Sequence, residues 1–226
     1  MKNNWDVSYE YHLEKYSKTD PFEVSQRTGI SFDTEASRFS FDVFGFKMFA
    51  DHPVFKLYVA PAHEQSPVYE QPATHEKQPT NTIPTKTLTG FQMQMLVMHV
   101  LTTGVSAPLT GNFKAYRELP WGDVYDHNFN GRCIKRFAFG FGFKPDIFEK
   151  AAISLNGTKL TQGNTAYSFD FLGGIKCQLI LWKPDDEFPP SAQILFSDNS
   201  ILMYNAEDLA VTADITITAL KELSSK

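Results

Sequence analysis

Cysteine is scarce in this chain of 226 residues: Cys133 and Cys177 stand far apart, with no Cys-x-x-Cys spacing. That excludes a thioredoxin-like redox pair and a cysteine-held iron–sulfur cluster. Both cysteines fall on predicted buried faces, so free buried thiols are expected ahead of a disulfide. Apolar runs of the roughly 20 residues needed to span a bilayer are also missing. The opening Met1-Lys-Asn-Asn-Trp-Asp6 carries no apolar stretch, and a cytoplasmic location is the expectation. Positive charge is in short supply, with 21 Lys and Arg against 26 Asp and Glu, a net charge of −5. This speaks against a nucleic acid or an anionic membrane as the partner and leaves a small molecule or a protein. No Gly-x-Ser-x-Gly elbow and no His-Glu-x-x-His occur. The glycines at 140 and 142 are not followed by Gly-Lys-Ser/Thr, so they do not form a phosphate loop. His99 has no second His at i+4 and is expected to be a satisfied core histidine. No metal site is expected and no cofactor can be named.

What the chain has in quantity is aromatic residues, 20 Phe and 9 Tyr, in a sequence whose mean hydropathy is only −0.29. The core should therefore be built from rings. The length suits one domain, below the roughly 250–300 residues at which cores split. Ile175 to Trp182 reads as a strand, and Lys183-Pro-Asp-Asp-Glu-Phe-Pro-Pro190 breaks it with prolines that cannot donate and carboxylates that need water. Ala192 to Phe196 is the return strand. Asn205 caps a helix whose Leu209, Ala213, Ile217 and Leu220 form one apolar stripe.

Earlier in the chain, Tyr9, Leu13 and Tyr16 line a short helix, and Asp20-Pro21 starts a second that ends near Gly29. Alternation from Phe39 to Val59 predicts a meander of about three strands. Pro61 to Thr85 carries five prolines and no glycine and is expected to be an exposed excursion. Leu88 to Leu101 is apolar nearly all round and predicts a buried helix. Trp121, Tyr125, Phe129, Cys133 and Phe137 recur every four residues and predict one packed helix face over 121–138. Pro145 to Leu155 is a helix stopped by Asn156-Gly157, and Thr165 to Phe171 is a strand. The expected fold is α+β, a single domain with a mainly antiparallel sheet, including 38–59 and 165–196, packed by several helices.

The succession Leu109-Thr-Gly111, Tyr116-Arg-Glu-Leu-Pro-Trp-Gly122 with Tyr125 and Phe129, Leu181 to Phe196, and Glu207-Asp-Leu-Ala210 resembles the domain-of-unknown-function family 3786 of anaerobic bacteria and archaea. The resemblance runs from about Asp20 to the C-terminus. It implies no assigned activity and no catalytic residue. An iron–sulfur domain preceding some relatives implies a setting in anaerobic redox or one-carbon metabolism, although this chain has no cysteine set to hold a cluster.

Two constellations carry chemistry. The first is Trp121 and Trp182, each at an element end beside prolines and carboxylates, with Glu118, Tyr125, Asp126, Arg132 and Asp185 supplying polar groups. Large rings at such edges offer apolar area with an N–H handle, which suits a ligand site. The competing expectation is that both indoles cap the core and that the acidic turn is merely solvated. The second is Glu118, Tyr125 and His127 at one helix start, which would serve an acid–base enzyme of the hydrolase type. Without a strong catalytic motif, a binding or accessory module is the leading expectation.

Overall fold

The computed structural model describes residues 4–65 and 82–225. Asp20 caps the second helix as its side chain accepts from the N–H groups of Phe22 and Glu23, and Gly29, at φ +72, ends it. Only glycine adopts that left-handed backbone without cost. The first helix, α1 (Asn4–Ser17), and this second one, α2 (Pro21–Thr28), lead into a meander of β1 (Ser31–Asp33), β2 (Arg38–Val43), β3 (Phe46–Asp51) and β4 (Leu57–Val59). All its pairings are antiparallel. Residues 66–81, the middle of the expected Pro-rich excursion, lie outside the described residues. The start of that stretch is tied to the meander: Gln65 accepts from the N–H of Lys47 and donates to the carbonyls of Lys47 and Ala60.

After α3 (Thr85–Leu88), α4 (Phe91–Thr103) is the buried helix, with Met93, Leu96, Val97, Met98, Val100 and Leu101 in the core. The chain then continues through β5 (Phe113–Ala115), a 3-10 turn at Tyr116–Glu118, α5 (Gly122–Phe129), a π-helical stretch at Asn130–Lys135, α6 (Arg136–Phe141) and α7 (Pro145–Ser154). Strands β6 (Thr158–Leu160), β7 (Thr165–Phe171), β8 (Ile175–Trp182) and β9 (Ser191–Ser197) precede α8 (Ser200–Met203) and α9 (Ala206–Ser224). The second sheet has the order β5-β9-β8-β7-β6 and is also antiparallel throughout.

The fold is α+β and a single domain, with one hydrophobic core running through both sheets and the helices. The strands do not, however, form one sheet. The 38–59 meander and the 165–196 strands are separate sheets that meet at a corner. There Phe44 donates its N–H to Asp170 O at 2.8 Å, and its ring packs against Phe169 and Phe171. Strands of three residues at both edges of the first sheet leave little ladder to extend.

Two helices differ from their periodicity. The expected 121–138 helix is interrupted by the π turn, and Arg132 within it and Arg136 just after it both reach Asp214 of α9. Helix α9 is covered on more than one stripe, since Thr212 and Thr216 are fully buried beside Leu209, Ala213 and Ile217. Their hydroxyls donate to the carbonyls four residues back, which lets a threonine face be buried.

Candidate functional site

Three segments converge at the start of α9. Asn205 and Asp208 form a reciprocal cap: the Asn205 side chain accepts from Asp208 N–H at 2.9 Å, and the Asp208 carboxylate accepts from Asn205 N–H at 3.1 Å. The same carboxylate oxygen accepts from His99 Nδ1, on the last turns of α4, at 2.7 Å. Nε2 of His99 has no partner among the described residues. The approach from β9 is fixed by buried bonds, with Asn199 donating to Ala107 O and Tyr204 Oη donating to Leu172 O at 2.6 Å.

The third segment is the turn Leu119-Pro120-Trp121-Gly122. Tyr116 stacks on Phe129, centroids 4.0 Å apart, and donates its hydroxyl to Ala206 O, which anchors the turn to the first residue of α9. A stacked pair of this kind is worth about 0.5–1.5 kcal/mol beyond its buried area. Leu119 N–H then bonds Tyr116 O, and Gly122 N–H bonds Leu119 O. A Cβ on Gly122 would lie 1.9 Å from Tyr116 O, so only glycine fits there. Trp121 is held at φ +65, a left-handed conformation that a bulky residue rarely takes. Its indole is consequently turned out of the core and is 78% exposed.

Between these segments lies a cavity of about 380 Å³, lined by His99, Thr103, Leu119, Trp121, Tyr204 and Asn205 among others. Behind His99 stands His12 of α1, edge-on with ring centroids 5.8 Å apart. The Nδ1 of His12 is buried without a hydrogen-bond partner among the described residues. The two imidazoles are driven apart in basicity. The hydrogen bond that His99 donates to Asp208 raises the pKa of His99 against an opposing burial effect, whereas burial, followed by the charge of His99, lowers that of His12. Burial pushes the Tyr116 phenol up to about 12 and that of Tyr204 well above its ordinary value, so both stay protonated donors.

A second cavity of about 450 Å³ lies at the other end of α9, lined by Lys86, Gln92, Ile215, Lys221 and Glu222 among others. Glu222 is already bonded to the N–H and hydroxyl of Thr87 there.

The expected site residues are not gathered at one place. Trp121 lines the first cavity; Trp182 and Asp185 do not. Trp182 ends β8 and is 37% exposed, so neither indole is a buried cap of the core. Trp121 also departs from the packed face expected of it, because its positive φ places it ahead of the helix and off the helical register. Asp185 accepts from the N–H groups of Glu187 and Phe188 within its own turn. Glu118 accepts from Ala115 N–H at 2.6 Å, capping the 3-10 turn. Arg132 is bound to Asp214, Tyr125 packs beside Tyr116, Asp126 is half-buried, and His127 is exposed.

His99, Asn205 and Tyr204 line the cavity, Asp208 holds His99 from behind, and all four were absent from the expected site. The Asn205-x-x-Asp208 spacing is a legible cap signal, but nothing local links it to His99, 109 residues away. His99 departs from the expected satisfied core histidine: it is bonded through Nδ1 and sits at a cavity wall. Among the described residues no three His, Cys, Asp or Glu side chains gather to hold a metal ion.

The model of the family described as domain of unknown function (DUF3786) matches residues 67–219. The chain belongs to this family. Within the match lie α4, the Trp121 turn and most of α9, hence nearly every wall of the cavity, whereas α1 with His12 lies outside it. The match begins well after Asp20, so the first sheet is not part of the DUF3786 region. No curated protein and no solved structure matches the chain.

Proposed function

We propose that this DUF3786 protein is a cytoplasmic binding or accessory module whose partner is a small molecule seated beside Trp121. The observation that carries the reading is the exposed indole, held in a strained backbone at the edge of a cavity that also contains an oriented histidine. Strain in a non-glycine residue costs about 1–3 kcal/mol and persists only where surrounding structure imposes it. Such residues cluster at binding and catalytic sites. The cavity volume falls in the about 300–1,000 Å³ range of small-molecule pockets. A setting in anaerobic redox or one-carbon metabolism is supported by the family resemblance alone. In keeping with a soluble module, no helix among the described residues is long and apolar enough to cross a membrane.

An acid–base enzyme working through Glu118, Tyr125 and His127 has less support, because none of the three lines the cavity and Glu118 is engaged by the backbone. Turnover that disappears in Glu118→Gln with folding intact would restore it. The binding reading is tested by NMR with an aromatic fragment collection, following the Trp121 indole N–H. Fragments should shift that resonance in the wild type and, followed by saturation transfer to the fragments' own signals, should bind the wild type but not Trp121→Gly. A collection that leaves it unmoved refutes the reading.

A further inference from the structure

Of the side chains that line the cavity, His99 is the one whose charge changes near neutral pH. His99 lines the cavity, and with its Nδ1 donating to Asp208 at 2.7 Å the ring nitrogen left to bond a ligand is Nε2, whose hydrogen-bonding sense depends on protonation. Resting on the reading of this cavity as a ligand site, we infer that its ligand is a carboxylate carried on a flat ring, the ring against Trp121 and the carboxylate accepting from Nε2–H of the His99 imidazolium.

Three features support this. Asp208 fixes the ring orientation and favours the charged form, as the raised pKa of His99 reflects. Asn205 and Ala206 line the same cavity at the start of a helix of 19 residues, where Asn205 takes the N–H of Asp208 and that of Leu209, leaving those of Ala206 and Glu207 without an acceptor within the helix. The ionisable groups facing the imidazole from the packed elements are His12 and Lys15 of α1 and Glu207 and Asp208 of α9. Burial lowers the pKa of His12 and favours its neutral form, in which His99 and Lys15 balance Glu207 and Asp208. Long-range attraction is therefore small, and the preference for an anion comes from the direct contact with Nε2–H. It should vanish when His99 loses its proton, so binding weakens as pH rises through the His99 titration.

The experiment uses the full chain and matched probe pairs, benzoate with benzamide and indole-3-carboxylate with its amide, titrated by NMR on the Trp121 indole N–H. At about pH 6 each carboxylate should bind about tenfold more tightly than its amide, the scale of one charge-assisted hydrogen bond. By about pH 9, with imidazole neutral, the preference should fall below about twofold. His99→Gln should abolish the preference at both pH values. Asp208→Asn, which keeps an acceptor for the cap, should move the midpoint of the pH dependence downward. Amides that bind as well as carboxylates at the lower pH overturn the inference and leave the cavity standing as a site. If no probe of either kind moves Trp121, the site reading itself fails.

Discussion

Replacing Asp208 by Asn tests the arrangement at the start of α9 through stability alone. The carboxylate accepts from His99 Nδ1 and from Asn205 N–H, and Asp208 is almost wholly buried. The pKa of His99 is raised in the folded state, chiefly by the hydrogen bond to Asp208. A raised pKa means that the protonated histidine contributes stability fully present below its unfolded value, about 6.5, and lost as pH rises through the folded value. The variant loses a bond to a charged partner at low pH, worth about 1.5–3 kcal/mol. At high pH the carboxylate still accepts from a neutral imidazole and from Asn205 N–H, so the variant forgoes only single-charge hydrogen bonds rather than an ion pair, and Asn can replace part of the cap. His12 has a lowered pKa and works in the opposite sense, favouring the fold as pH rises. It is present in both proteins and largely cancels in the comparison. Urea unfolding of wild type and Asp208→Asn at about pH 5.5 and about pH 9 should therefore show the larger loss at the lower pH. A loss that is equal at both, or greater at the higher pH, refutes the charged His99–Asp208 pair.

Gly122→Ala should destabilise the protein by about 1–3 kcal/mol in urea, because the added Cβ meets the Tyr116 carbonyl rather than a movable side chain. Trp121→Gly should leave the urea midpoint nearly unchanged, within about 1 kcal/mol, since relief of the left-handed strain offsets the extra freedom of glycine in the unfolded chain. Asp214→Ala leaves Arg132 and Arg136 without their shared partner and should cost about 1–3 kcal/mol, discounted for the partial exposure of both arginines. Cys133, whose thiol is pushed up to about 12 by burial, and Cys177, raised further by complete burial, should both resist a thiol reagent at neutral pH and react at once in urea.

The sequence by itself determined the elements whose signals are local. Asp20 with Pro21, Gly29, Asn205 and the Lys183–Pro190 break act through their own neighbours, and the alternation at 38–43, 165–171 and 175–182 acts through a period of two, so these boundaries were legible residue by residue. Tertiary structure alone decided how the pieces meet. Two short edge strands end the first sheet before it can join the second, and the two faces of α9 are both covered, which a single apolar stripe does not announce. Four-residue spacing put Trp121 on the packed face with Phe129 and Phe137, yet a positive φ imposed by the close approach of Gly122 to Tyr116 turns the indole outward. The site was hidden for the same physical reason. Its central bond joins His99 to Asp208 across 109 residues, and a hydrogen bond between two helices leaves no pattern within either one.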